Sequence, residues 1–541
     1  MKKLKRSLID CILGLILPFT VVFIAQYGII LEHGFVIRGD LGFPIYLDEY
    51  LSQVFNAWNH YTSSPNGAIS YINVLIFAIP HWLGASADVS EKIWLLVSYA
   101  STGTFMYFAM RILLPKKSAL AHYGACTVAS LTYMINKYAL VLIHLPGHLL
   151  SSAALPLAIA LYMRTLRGDR GVLRNAILTS VTLSLTVFAT HTLALAFFAM
   201  IVAFLYRSLR SRGSALRYLG RNVLIFFLFI TLNAYWIIPQ YLAPTLPEAY
   251  FPSYIPPLRY NPEELGLSRY GHGKNVVNVL TLNLGYGLEL PITVQSIAVG
   301  SLMPIVAFSF FLFRRKEGEC YEVASLSFIL FTVGTLLTIR TWPFILVSDF
   351  LGRYIFSSGL WWAFIRNPDH FSPLVIYSLS TLTGLTSAAI LGRLTKPIEE
   401  GIKIMQLPRD FARSVRLSQL LAVSFIALLL LSPWILYSGY PASGNVNGAL
   451  APIVIPEEYD KANEWLSQQE GSYRVWWVPQ PMGHTWFSWA PENPRPYGWP
   501  VIASSKPLLW SSTKESRFFL EYLYLQGLYE GGVFNLGKAL R

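Results

Sequence analysis

Charged side chains are scarce in this sequence. Asp, Glu, Lys and Arg make up 13% of the 541 residues, whereas they make up about 25% of a typical soluble domain. Hydrophobic residues reach 54%, so the composition excludes an ordinary soluble chain and indicates a polytopic membrane protein. A membrane-spanning helix needs roughly 20 mostly apolar residues. We predict eleven such helices, at residues 8–30, 92–114, 119–136, 148–164, 174–190, 191–206, 221–241, 291–313, 322–340, 372–392 and 417–437.

Cysteine is also scarce, and the sequence motifs of several enzyme classes are missing. The three cysteines fall in predicted helices or near the predicted inner side, so no disulfide framework supports the outer regions. The sequence has no CxxC, GxSxG or HExxH motif. His144 and His148 have the spacing of a helical metal pair, but Pro146 and Gly147 between them favour a turn. No metal site is predicted.

The net charge of +13 could indicate a nucleic-acid partner, but its distribution indicates topology instead. With residue 1 placed inside, 25 of the 42 Lys and Arg residues lie in the inner segments, 9 lie in the outer loops and 8 lie in the C-terminal tail. This is the positive-inside pattern. We therefore predict a multi-pass cell-membrane protein with a cytoplasmic N-terminus and no nucleic-acid partner.

Three predicted outer loops are much longer than a connection needs to be. They comprise residues 31–91, 242–290 and 341–371. Within the first, residues 71–84 (YINVLIFAIPHWLG) are apolar but too short to span a bilayer. We predict that they form an interfacial or re-entrant helix.

The C-terminal part differs in composition from the transmembrane domain, residues 1–437. Residues 438–541 lose the transmembrane pattern and are predicted to form a small mixed α/β domain outside the membrane. Within them, residues 454–472 predict a helix with Pro456 in its first turn and acidic residues near its positive end. Residues 473–479 (YRVWWVP) predict a strand.

Carboxylates stand directly after the first predicted span, in the sequence RGDLGFPIYLDEY at residues 38–50. A carboxylate near the bilayer surface is costly unless it is solvated, paired or used. For Asp48 and Glu49, a solvated loop is an equally good interpretation. Asp40 is a better candidate for function, since Gly39 permits close approach of a substrate and Arg38 can hold a phosphate.

Five segments together resemble a known family. They are GDLGFP (39–44), SLTYMINKYAL (130–140), ALPLAIALYMRTLRG (154–168), FATHTLALAFFAMIVAFLY (188–206) and FIRNPDHFSPLVIYSLSTLTG (364–384). In their order and predicted topology they resemble the GT-C membrane glycosyltransferases, in particular the arabinofuranosyltransferase-type branch and its archaeal and bacterial relatives. The resemblance covers most of the chain.

The resemblance implies transfer of a sugar from a polyprenyl-phosphate donor to a glycan, lipid or protein acceptor on the outer face of the membrane. The acidic residue after the first helix is the catalytic base in this family, which corresponds to Asp40. Asp48 or Glu49 would be a second acidic partner. The donor is a substrate, and no resident cofactor or metal is predicted, although some branches use a divalent metal.

Cationic and histidine side chains supply the candidate substrate contacts. Arg38, Arg353 and Arg366 lie in predicted outer loops, where guanidinium groups can bind the donor phosphate. An interfacial anchor is an equally good interpretation of Arg366. His60 and His191 are further candidates, and a turn histidine bonded to the backbone is the alternative for each.

Two other function classes stay open on the sequence. A lipid-linked sugar flippase or transporter would more often show internal symmetry and charges within its helices. A non-catalytic membrane scaffold would depend on the tail and not on Asp40. The chain ends at NLGKALR, where relatives usually continue, so we expect an incomplete outer domain. The sugar, the acceptor and the oligomeric state are not predicted.

Overall fold

The protein, seen in a computed structural model, is a bundle of α-helices. The structure describes residues 2–36, 43–55, 58–59, 64–65, 71–115, 119–168, 171–211, 214–242, 276, 279, 300–313, 318–339, 350, 368–401 and 452–470. Seven of the described helices are long and apolar enough to cross a membrane. The chain is therefore a multi-pass membrane protein, as its composition predicts.

The described helices are numbered in chain order. Helix α1 runs over Lys2–Cys11, a π-helical turn at Ile12–Ile16, and Leu17–Leu31. The others are α2 (Leu47–Val54), α3 (Tyr71–Trp82), α4 (Ala87–Leu113), α5 (Ala119–Met134), α6 (Lys137–Val141), α7 (Pro146–Arg167), α8 (Val172–Thr186), α9 (Thr190–Arg210), α10 (Ala215–Leu242), α11 (Leu302–Phe313), α12 (Glu319–Thr338), α13 (Ser372–Gly401) and α14 (Glu457–Gln468). Two-residue strands β1 (Trp58–Asn59) and β2 (Ser64–Pro65) pair antiparallel between α2 and α3.

The seven candidate spans lie in α1, α4, α7, α9, α10, α12 and α13, and each coincides with a predicted apolar run. Three further predicted runs correspond to the shorter helices α5, α8 and α11. The ambiguous stretch 174–206 is two helices that break between Thr186 and Thr190. The predicted span at 417–437 and the predicted strand at 473–479 lie outside the described residues.

Helices α7 and α13 form the centre of the bundle. In the most apolar stretches of α7 and α13, 89% and 83% of the residues are buried, whereas 22% are buried in those of α1 and α10. Small residues allow α13 to approach its neighbours closely. A Cβ atom added to Gly384 would lie 2.8 Å from Met110 on α4 and 2.9 Å from Ala129 on α5. Several hydroxyls in the core bond within their own helix, as Ser378 does with the Leu374 carbonyl at 2.7 Å.

Ion pairs tie the helices together at one end of the bundle. Arg111 at the end of α4 makes two hydrogen bonds to Asp10 on α1, of 2.6 Å and 2.7 Å. Glu322 on α12 pairs with Arg207 on α9 at 2.9 Å and with Arg167 on α7 at 3.4 Å. We call this the basic end. The opposite end, where α1 ends and α4, α7, α9 and α13 begin, we call the loop end.

Candidate functional site

The chain leaves α1 as a short extended segment, residues 32–36, which we call the strap. Its backbone is held by carboxylates from the first turns of α4. The Val36 N–H donates to Glu91 Oε2 at 2.6 Å, and the Gly34 N–H donates to Asp88 Oδ2 at 3.3 Å. Glu91 is 4% exposed, so this hydrogen bond satisfies a buried acceptor. The strap leads directly to Arg38 and Asp40 in the sequence.

A lysine reinforces the same attachment. Lys92, which is 4% exposed, donates from Nζ to the carbonyl of Glu32 at the start of the strap. The same ammonium pairs with Asp88 at 3.5 Å. Buried charges are stable only when they are paired and hydrogen-bonded, so Asp88 and Lys92 depend on each other and on the strap.

The opposite edge of the strap pairs with a segment more than four hundred residues later. Phe35 and Ile453 exchange both backbone hydrogen bonds, each 2.8 Å long, in an antiparallel bridge. Ile45, Ile455 and Tyr459 pack around this bridge. The strap therefore lies between α4 on one side and the segment before α14 on the other.

Helix α14 continues this contact along α2. The Tyr46 hydroxyl donates to Asp460 at 3.1 Å, and the Asn463 side-chain amide donates to Glu49 Oε1 at 3.4 Å. Burial, and then the negative charge of Asp460, raise the pKa of Tyr46 above its ordinary range. The acids Glu457, Glu458 and Asp460 stand in the first turn of α14, as the sequence predicts.

Asp48 lies on α2 and points away from the interior. Its side chain is 88% exposed and pairs with His81 Nε2 of α3 at 3.0 Å. Helix α3 has 12 residues, about 18 Å at 1.5 Å per residue, which is too short to span and fits the predicted interfacial helix. Phe77 of this helix packs with Phe43 and Trp94, and the ring centroids of the three lie 5.2 to 6.0 Å apart.

Three histidines meet at the loop end, and we call them the histidine cluster. The rings of His191 and His370 stack with centroids 4.2 Å apart and planes 11° apart. The His148 ring lies 5.4 Å from that of His191. Next to His370, Asp369 is 3% exposed. Burial, and more weakly the Asp369 charge, raise the pKa of Tyr138. The cluster therefore joins the starts of α7, α9 and α13.

A narrow pocket lies beside the strap, between α1 and α4. Val36 of the strap, Gln26 of α1, Lys92 and Tyr99 of α4 and Ile143 contribute to its wall. Ile143 stands in the connection that leads from α6 into α7. Within the described residues, neither amide atom of Gln26 has a hydrogen-bond partner. The strap thus lies beside the connection between α6 and α7, with the pocket between them.

The structure describes three of the eight residues that the sequence singles out. Asp48 and Glu49 lie on α2, and His191 lies in the histidine cluster. Five others, Arg38, Asp40, His60, Arg353 and Arg366, lie outside the described residues. In the described part of the chain, no group of three His, Cys, Asp or Glu side chains is arranged to hold a metal ion.

Sequence reasoning missed Glu91, Lys92, His148 and His370. Glu91 and Lys92 are charged residues at the edge of a predicted span, which is a recognisable signal for a functional or paired group. His148 was considered only as a partner of His144, whereas its neighbour in space is His191. His370 belongs to the segment at 364–384 that carries the family resemblance.

Comparison with known proteins identifies the fold. No protein-family model matches the chain, and no curated protein matches it. The structure is similar to that of the arabinofuranosyltransferase AftD of mycobacteria, with a TM-score of 0.53 and 14% identity over 88% of this chain and 30% of that one. An oligosaccharyltransferase of Archaeoglobus fulgidus matches with a TM-score of 0.45 and 10% identity, over 84% of this chain and 57% of that one.

The chain therefore spans 30% and 57% of the lengths of these two proteins. The similarity to the mycobacterial enzyme extends over most of the present chain, as the sequence segments predict. At 14% identity it establishes the fold. This multi-pass membrane protein shares its fold with the matching part of the mycobacterial arabinofuranosyltransferase.

Proposed function

We propose that the protein transfers a sugar from a polyprenyl-phosphate carrier to an acceptor hydroxyl at the outer face of the membrane. The observation that carries this proposal is the likeness of 88% of the chain to an arabinofuranosyltransferase. The acceptor class is a cell-surface glycan, lipid or protein. The basic end would face the cytoplasm, in line with the positive-inside pattern, and the loop end would face outward.

In the proposed reaction the acceptor oxygen attacks the anomeric carbon of the donor sugar. The bond between that carbon and the phosphate oxygen breaks, and its electron pair leaves with the polyprenyl phosphate. Asp40 accepts the proton of the acceptor hydroxyl. Asp40 follows Val36 by four residues, so its Cα atom is within about 14 Å of the strap at roughly 3.5 Å per residue.

The other acids take supporting roles in this proposal. Glu49 bonds to Asn463 and Asp48 bonds to His81, and we assign to both acids the role of holding the acceptor whose hydroxyl Asp40 deprotonates. Both lie on α2, and the contact between α2 and α14 keeps that helix in place. The tail segment would then contribute to acceptor recognition.

The donor phosphate needs cations or hydrogen-bond donors where charge develops on departure. We assign this role to Arg38, Arg353 and Arg366, with His191 and His60 as further contacts. The position of His191 in the histidine cluster supports its part in the assignment, since His370 of that cluster follows Arg366 by four residues. The apolar faces of the helices would hold the polyprenyl chain.

The test is sugar transfer by membranes that contain the protein and are fed a polyprenyl-phosphate sugar. Asp40→Asn should lower the rate by a factor of about 100 or more, the range expected for loss of a general base. Glu319→Gln is the matched control, because it removes one exposed carboxylate at the basic end and should leave the rate unchanged. Equal transfer by Asp40→Asn and wild type would remove the assignment of the base. Carrier flipping without a glycosidic product would indicate a transporter.

A further inference from the structure

Residues 34 to 36 of the strap are held from both sides by four hydrogen bonds of their backbone groups. On one side, Glu91 and Asp88 of α4 accept the Val36 and Gly34 N–H groups. On the other side, Phe35 and Ile453 exchange two bonds. The N–H groups of Gly34 and Val36 therefore face α4, and the backbone of Phe35 between them faces Ile453.

Gly34 makes this close fit possible. Its φ angle is +109°, a conformation that L side chains rarely adopt. A Cβ atom added to Gly34 would lie 2.6 Å from the carbonyl oxygen of Ile453. The tail segment thus approaches the strap more closely than any other residue at this position would allow.

Glu91 is buried and bonded to the strap, whereas an acid in the first turns of a helix is usually exposed to solvent. It is 4% exposed, and its Oε2 atom lies 2.6 Å from the Val36 amide nitrogen. Val36 is the last described residue before the segment with Arg38 and Asp40. A buried acceptor that loses its donor is left with a large desolvation penalty, so the Glu91 carboxylate and the Val36 amide keep each other in place.

We propose that Glu91 is a positioning residue and that the segment at 452–468 is its partner in the same chain, the two together fixing the direction in which the strap delivers Asp40. This inference rests on the proposed function, since it assumes that Asp40 is the base. It assigns to the tail a part in catalysis that is separate from acceptor recognition. Glu91 acts through Val36 and does not touch a substrate.

The first experiment compares two substitutions of Glu91 in the full chain. Glu91→Gln keeps an acceptor oxygen for the Val36 N–H, whereas Glu91→Leu removes it. Displacement of a catalytic group by about 1 Å can lower the rate roughly a hundredfold. We expect kcat to fall by about that factor in Glu91→Leu, with the KM for the polyprenyl-phosphate sugar unchanged, and Glu91→Gln to recover most of the rate.

The second experiment fixes the strap to the tail segment by a disulfide, in place of its lost attachment to α4. Two residues that exchange both hydrogen bonds in an antiparallel pair have Cα atoms about 5.5 Å apart, within the range of a disulfide, about 4.4 to 6.8 Å. Phe35→Cys with Ile453→Cys should therefore cross-link when an oxidant is added. In the Glu91→Leu background, oxidation should raise the transfer rate and reduction should lower it again. Each single cysteine variant is the control.

The rate of cross-linking is a measure that needs no transfer activity. It should fall several-fold in Glu91→Leu relative to Glu91→Gln, because the strap then loses its attachment to α4. An equal rate in both would overturn the positioning role even if the protein transferred sugar normally. If cross-linking is slower in Glu91→Leu but the wild type transfers no sugar, Glu91 does hold the strap and the proposed function is wrong. Equal loss of kcat in both Glu91 variants, without rescue by the disulfide, would also overturn the inference.

Discussion

Replacement of Gly34 by alanine tests how closely the tail fits the strap. The positive φ of this position costs an alanine about 1–2 kcal/mol. The new Cβ, 2.6 Å from the Ile453 carbonyl oxygen, must also push the tail away and loosen two backbone hydrogen bonds, worth about 0.5–1.5 kcal/mol each. Together these effects should weaken docking of residues 452–468 by about 2–5 kcal/mol.

Amide hydrogen exchange at Phe35 and Ile453 measures this change. Since about 1.4 kcal/mol corresponds to a tenfold change in an equilibrium, exchange at both amides should accelerate by about 30-fold or more. Gly84→Ala is the matched control, because Gly84 has φ +96° but no atom within 4 Å of an added Cβ. It should leave both amides unchanged. The reasoning is refuted if the two variants exchange equally at Phe35 and Ile453.

Three more predictions follow from buried or paired groups. Gln26→Leu should leave the protein equally stable or stabilise it by about 1–3 kcal/mol in a thermal shift assay, because neither Gln26 amide atom is hydrogen-bonded within the described residues; clear destabilisation would contradict this. Glu322→Gln should destabilise by roughly 3–5 kcal/mol, since Arg167 and Arg207 would then face each other without a counter-charge; restoration of stability by Arg167→Met would support the cause. Docking of the tail raises the pKa of Tyr46, so the neutral phenol stabilises docking at pH values below its ordinary pKa of about 10. This stabilisation is lost as the pH rises further and the phenol ionises. Limited proteolysis of the tail should show the loss in the wild type and not in Tyr46→Phe.

The membrane-spanning helices and the start of α14 could be predicted, because each depends on residues that are adjacent in the sequence. Apolar runs of about 20 residues correspond to spans, and Pro456 with the following acids corresponds to the start of α14. The break between α8 and α9 was visible only as a stretch too long for one helix. Helix α5 ends within two residues of the predicted end of its apolar run, because the apolar pattern stops there.

Contacts over long sequence separations could not be predicted. Nothing in the sequence around Ile453 indicates that it pairs with Phe35, since a single backbone bridge has no side-chain pattern. The stacking of His191 on His370 likewise depends on where the starts of α9 and α13 meet. The interpretation of Asp48 as a solvated acid and the interpretation as a functional one both fit its exposed pairing with His81.

In the proposed function, sugar leaves its carrier at the loop end of the bundle. The most direct measurement follows one labelled polyprenyl-phosphate sugar in purified protein reconstituted into vesicles, counting free polyprenyl phosphate and glycosylated acceptor in the same sample. We expect one carrier phosphate to be released for each glycoside formed, and both products to form about 100-fold more slowly, or slower still, with Asp40→Asn. Movement of intact labelled carrier across the bilayer with no glycoside would contradict it.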